Sequence, residues 1–154
     1  MAENQVLNLN LYGTYSHSID DKNRFLFPAK LREKIEKYNI KDLVITAAIP
    51  SKRYLLIFPE MIFQDFIRSW MSEDKGPGDP VNSSFEGWFN RMAFPVQLDK
   101  TGRLLIPQKL IEEKSIKKDI CLVGKGNKIE IWDKEAFEIE DSRIRETLSK
   151  LKFE

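Results

Sequence analysis

The chain has 154 residues, 42% of them apolar and 32% charged, with a formal net charge of +1. That is enough for one ordinary domain or two small ones, with apolar material for a core. No apolar run approaches the roughly 18 residues of a membrane span, "MAENQVLNLNLYG" lacks the regions of a secretory leader, and the lone Cys121 excludes an internal disulfide, so a soluble protein of a reducing cytoplasm is expected.

In chain order, "LYGTYSHSID" alternates as a half-buried strand does. "DDKN" reads as a turn, because Asp and Asn tolerate left-handed backbone and bond to their own main chain. "RFLF" is a short strand. Pro28 suits the first position of a helix, and "AKLREKIEKY" follows with Leu31, Ile35 and Tyr38 at helical spacing. "LVITAAI" and "YLLIF" flank the turn "PSKR" as a hairpin. "PEMIFQDFIRSWM" reads as an amphipathic helix with Ile62, Phe66, Ile67 and Trp70 inward. "SEDKGPGDPVNSS" is rich in Gly, Pro and acids and reads as a linker with nothing to pack. "FEGWFNRM" is a short helix. The order then restarts: strand "AFPVQL", turn "DKTG", strand "RLLI", Pro-led helix "PQKLIEEK", hairpin "ICLVG" and "KIEIW", and a closing helix from Asp133, its expected cap.

The restart is a repeat. Asp20, Arg24 and Pro28 are answered by Asp99, Arg103 and Pro107, each 79 residues later. Over the 17 residues from Ile19 and from Leu98, seven positions are identical. The chain is therefore read as an internal duplication, residues 11–74 and 85–149 joined by a linker at 75–84, packing as one pseudo-two-fold unit. Strands this short cannot each bury a face alone, so the two β-layers must pack or interleave.

Charge follows the repeat. Between Lys22 and Lys41 there are seven Lys/Arg against two Glu, and between Lys109 and Lys128 six against three acids. From Glu130 to Glu146 the balance reverses, with seven acids against three bases, as a solvated helix face turned away from an anionic partner would have. Both basic segments begin in or just behind the shared motif.

That motif, D-x-x-x-R across a turn, has a structural reading: the Asp accepts turn N–H groups and the Arg pairs with it. It also has a functional one. An Arg one step past a turn in a basic setting carries a planar fork suited to phosphate or to a guanine edge, and the Asp can hold it in place. Gly102 frees the backbone of its turn, and Asn23 is the next best residue there.

"LYGTYSHSIDDKNRFLFPAKLR" and "VQLDKTGRLLIPQKL...VGKGNKIEIWDKEAF" resemble the MraZ family of bacterial transcription regulators, over about Leu11 to Phe137 and with both motifs in order. The resemblance implies a mixed α+β fold, a duplicated swapped-hairpin (double-split) β-barrel of AbrB type with flanking helices. It implies DNA binding at short repeated boxes upstream of the division and cell-wall gene cluster, the protein's own gene included, by ring-like homo-oligomers associated with the nucleoid. Carried over residue by residue, Asp20, Arg24, Asp99 and Arg103 become DNA-site residues, with Lys22, Lys30, Arg32, Lys100 and Lys109 as phosphate contacts. Two departures stand out: Asn23 replaces the Gly common in the first motif, and Ile111 stands where the second repeat usually has another Arg.

The role of DNA-binding repressor competes with two others. An AbrB-like antitoxin or other protein-binding module would carry one motif and a disordered tail, whereas here the second half is a full repeat. An enzyme would need a phosphate loop, a Cys/His cluster or a nucleophile elbow, and the sequence has none. No cofactor, metal, membrane or small-molecule substrate is expected. His17, the single histidine, reads as packed or hydrogen-bonded, and Trp70, Trp88 and Trp132 as core or subunit anchors.

Overall fold

The first strand does not pair with its sequence neighbour. In the computed structural model, which describes residues 7–76 and 78–153, Thr14–Ser18 (β1) runs antiparallel to Asp119–Lys125 (β7), with His17 opposite Ile120. Arg24–Leu26 (β2) likewise pairs antiparallel with Arg103–Leu105 (β6) from the other half. Leu43–Ala47 (β3) and Tyr54–Pro59 (β4) form the expected hairpin, as do β7 and Lys128–Asp133 (β8). Ala93–Val96 (β5) adds to β3, and β8 adds to β4. The result is a six-stranded sheet of order β1-β7-β8-β4-β3-β5 and a separate two-stranded ribbon, β2-β6.

The class is mixed α/β with antiparallel pairing. The sheet is open, with β1 and β5 at its edges, so the described strands do not close into one barrel. β3 and β4 sit inside the sheet and carry near-continuous apolar runs because both of their faces are covered. One core cluster draws Phe25, Leu31 and Ile45 from the first half and Leu104, Leu110 and Ile131 from the second.

The helices are Ala29–Glu36 (α1), Phe63–Trp70 (α2) behind a 3₁₀ turn at Glu60–Ile62, Pro80–Arg91 (α3), Gln108–Glu113 (α4) and Lys134–Ser149 (α5). Three expectations change here. Helix α3 starts at Pro80, inside the stretch read as linker: Asp79 caps it, its carboxylate accepting from the N–H groups of Val81 and Asn82. That stretch packs, since buried Asn82 bonds the backbone of Ser72 at both its N–H and its carbonyl. Helix α1 stops before Tyr38, which is exposed, and Asn39 leaves the helix at φ 58°. Asp133 does not cap α5 through its side chain; its Oδ1 accepts the Lys117 N–H at 2.9 Å instead.

Along the 3₁₀ turn and α2 only Ile67 is fully buried, while Ile62, Phe66 and Trp70 are partly so. Phe66 and Trp70 meet Phe89 of α3 at centroid distances of 4.9 and 5.7 Å. Trp88 donates its ring N–H to the carbonyls of Ala47 and Ala48, and buried Trp132 donates to Glu130. Cys121 is buried, and His17 is half-buried, with burial pushing its pKa below the ordinary imidazole value. None of the described helices is long and apolar enough to cross a membrane. The leader expectation concerned in part residues 1–6, which lie outside the described residues, as does Pro77 of the linker.

Candidate nucleic-acid interface

The two D-x-x-x-R segments fold identically because their aspartates organise them. In the first, the Asp20 N–H donates to the Arg24 carbonyl at 2.8 Å and the Asn23 N–H returns to the Asp20 carbonyl at 3.0 Å. The Asp20 Oδ1 accepts from the N–H groups of Lys22 and Arg24, both at 2.9 Å. In the second, Asp99 and Arg103 repeat the backbone pair at 2.8 Å, and Asp99 Oδ1 accepts from the N–H groups of Thr101 and Arg103, both at 2.9 Å, and from the Thr101 hydroxyl at 2.8 Å. The fourth residue must turn left-handed, at φ 63° for Asn23 and 82° for Gly102, which explains the residue types there. The structural reading of the aspartates therefore holds.

Both carboxylates are held below the usual range, first by the N–H of the motif arginine, at Asp20 and Asp99 alike, and at Asp99 next by the Thr101 hydroxyl. A depressed folded pKa means stability that is complete above the unfolded value of about 3.9 and is lost as pH falls through the folded value. Urea midpoints should therefore drop on acidification below about pH 4. In an Asp20→Asn/Asp99→Asn chain that acid-dependent drop should be shallower, and an equal drop in both chains would show that other carboxylates control it.

The arginines differ. Arg24 donates from Nε to Asp20 Oδ2 at 3.1 Å, and neither Nη group has a hydrogen-bond partner among the described residues. Arg103 is exposed and has no carboxylate within ion-pair reach among the described residues. The turns are tied across the ribbon: the Phe27 N–H donates to the Gly102 carbonyl at 2.9 Å, and the Ile106 N–H to the Asn23 carbonyl at 2.8 Å. Each helix start also meets the opposite turn. Asn23 Nδ2 donates to Gln108 Oε1 at 2.8 Å, and the Arg32 guanidinium lies so close over Gly102 that a Cβ there would strike its Nη1. Arg32 is itself aligned by Glu36, Nε to Oε1 at 2.8 Å.

Asp20, Arg24, Arg32, Asp99 and Arg103 are thus gathered around one ribbon. Lys22 and Lys100 are exposed at the two turns, and Lys30 and Lys109 are exposed on the first turns of α1 and α4. Lys114, counted in the second basic segment, leaves it: it is buried, donating from Nζ to the carbonyls of Ile49 and Lys52 at 3.1 and 2.6 Å, and burial lowers its pKa. The sequence reading missed Leu26 and Leu105, which are 50% and 52% exposed beside the arginines. Period-two alternation from the buried Phe25 and Leu104 was the available signal. Among the described residues no group of three or more His, Cys, Asp or Glu is placed to hold a metal.

A family model described as "MraZ protein, putative antitoxin-like" matches residues 11–76 and 89–152. Among curated proteins, the "Transcriptional regulator MraZ" of Clostridium beijerinckii is 37% identical over 134 residues, 86% of this chain and 88% of its own. That of Clostridium tetani is 31% identical over 146 residues, 90% and 96% of the two chains. That of Ureaplasma urealyticum is 32% identical over 143 residues, 90% and 92%. With nearly its full length and both turns covered by these matches, the chain belongs to the MraZ family.

Proposed function

We propose that the protein is a sequence-specific DNA-binding transcription regulator, a repressor that acts by binding and not by catalysis. The observation that carries this reading is the ribbon: two Asp-organised turns at its ends and Arg24 and Arg103 on its one exposed face. A two-stranded ribbon fits the major groove of B-DNA, and an arginine fork bonds both acceptors of a guanine edge. The relatives are named transcriptional regulators, which supports the regulatory part of this reading. In this reading Asp20 and Asp99 position the turns, Arg24 and Arg103 read bases, and Lys22, Lys30, Arg32, Lys100 and Lys109 hold phosphates. The chain acts as two repeats, 11–74 and 85–149, and the pairing of β1 with β7 and of β2 with β6 supports the swapped-hairpin reading of their fold.

One chain offers only two turns and a net charge of +1, so affinity must come from several copies engaging at once. Copies joined head-to-tail in a ring present the same contacts in the same direction, which calls for direct repeats about 10 base pairs apart. The targets on this reading are the division and cell-wall gene cluster and the protein's own gene. The test is a gel shift on the DNA upstream of its own coding sequence, with one box, direct boxes and inverted boxes compared. Binding no tighter than to scrambled duplex, or a preference for inverted boxes, would refute it.

Lys30 and Lys109 occupy equivalent exposed places on α1 and α4. Replacing either by alanine should weaken binding to all sequences alike and lower the salt slope by about 1. Titration at several salt concentrations checks this, and a loss confined to the specific site would contradict a phosphate role.

A further inference from the structure

Strands β2 and β6 leave the same pair of residue types outside. Phe25 and Leu104 face inward, at 1% and 0% exposure, and the residues on either side of them face outward. In the register Arg24 lies opposite Leu105, and Leu26 lies opposite Arg103. The outer face is therefore a two-by-two block in which each arginine is paired with a leucine across the ribbon. A lone exposed leucine requires no explanation. Two of them at equivalent positions, each facing an arginine, do, because an outward position on a ribbon accepts polar residues without loss to the core. Leu26 also reaches toward the second turn, its Cδ1 falling 3.8 Å from where a Gly102 Cβ would stand, on the side where the Arg32 guanidinium rests. Cations flank the leucines: Arg103 lies opposite Leu26 and Arg24 opposite Leu105, the Arg32 guanidinium rests beside Leu26 over Gly102, and Lys22 and Lys100 are exposed in the turns.

We infer that Leu26 and Leu105 are specificity-determining residues that pack on thymine methyl groups in the major groove beside the bases read by the two arginines. This rests on the DNA-binding reading above. The cations define an anionic duplex as the occupant. Phosphates have no use for an apolar side chain, and the one methyl group that the four base edges display in the major groove is that of thymine. The face thus has a reader for guanine and a reader for thymine on each strand. The mixed face distinguishes base sequence as well as charge.

Uracil, which lacks only that methyl, supplies the test. The tightest duplex selected by the protein from a random-sequence library is compared, by fluorescence anisotropy, with duplexes in which each dT is changed in turn to dU. At one or two positions per box the change should weaken the parent about three- to five-fold, the equivalent of about 0.8 kcal/mol for one buried carbon. Leu26→Ser or Leu105→Ser should lose a similar factor on the thymine duplex and be indifferent to uracil at the matching position. Both sites are exposed, so the melting temperature should not change. Parent binding insensitive to uracil everywhere, or serine variants that keep the parent's uracil penalty, overturns the inference while leaving the DNA-binding reading intact. Serine variants that sediment as smaller particles and weaken on all duplexes alike would assign the leucines to contacts between copies, which also overturns it. Selection that yields no preferred sequence at all overturns both readings.

Discussion

Arg24→Ala should cost specific DNA binding roughly 1–3 kcal/mol, about five- to 150-fold in affinity, and Arg103→Ala somewhat less. The difference follows from how the two side chains are held. Arg24 is fastened through Nε to Asp20 at 3.1 Å, so its guanidinium is held before DNA arrives and less rotamer freedom is lost on binding. Arg103 has no such partner among the described residues and must be ordered at that moment. Arg24→Lys should fall with the alanine variant, because an ammonium cannot make the planar two-point contact. Folding should be unaffected in all three, since neither guanidinium is buried. Because the two arginines share one ribbon, the double variant is expected to depart from additivity. Calorimetric titration on the specific and on a scrambled duplex checks the series, and parent-like binding by both single variants would remove the ribbon from the interface.

The second large effect is on stability. Phe25 and Leu104 face each other at the centre of the ribbon and are fully buried. Each strand of the ribbon has three residues, so its inward grip consists of these two side chains and the Phe27 and Ile106 that follow. Phe25→Ala is expected to cost about 3–5 kcal/mol and Leu104→Ala about 2–5, from lost transfer energy and the cavity left behind. Against a typical domain stability of about 5–15 kcal/mol, either takes a large share. DNA binding should fall with them, since both turns are anchored on this ribbon through the Phe27–Gly102 and Ile106–Asn23 bonds. Urea unfolding measures the cost, and a loss below about 1 kcal/mol would mean that the ribbon is not seated on the core as described.

The order of elements was readable from turn chemistry and periodicity, and so was the repeat. Asp20 and Asp99 were legible as turn-makers because the bonds they form are local, within four residues. What stayed hidden was mostly long-range. Nothing in "RFLF" says that its partner is "RLLI" and not a neighbour, since three-residue strands carry no register information of their own. The placement of Arg32 over Gly102 depends on that same exchange between halves. The Pro80 helix was obscured by composition: Gly, Pro and acids read as linker, although Asp-Pro is also a cap followed by a first helical position. Lys114 was misjudged because the carbonyls it serves belong to residues 49 and 52, which sequence distance cannot reveal.

The pairing of β2 with β6 also sets a schedule for synthesis. Arg24 and Arg103 are 79 residues apart, so at 5–20 residues per second the first ribbon strand waits about 4–16 seconds at the ribosome for its partner. Through that interval β1 and β2 have open edges, the condition in which a nascent chain is liable to pair with another copy. Contacts of such sequence separation also close late in folding, after local hairpins such as β3-β4. The arginine face is therefore among the last surfaces to exist. A polypeptide interrupted before residue 103 has no β6 and no complete ribbon, so on the proposed reading truncated products would lack the face that finished ones turn to DNA.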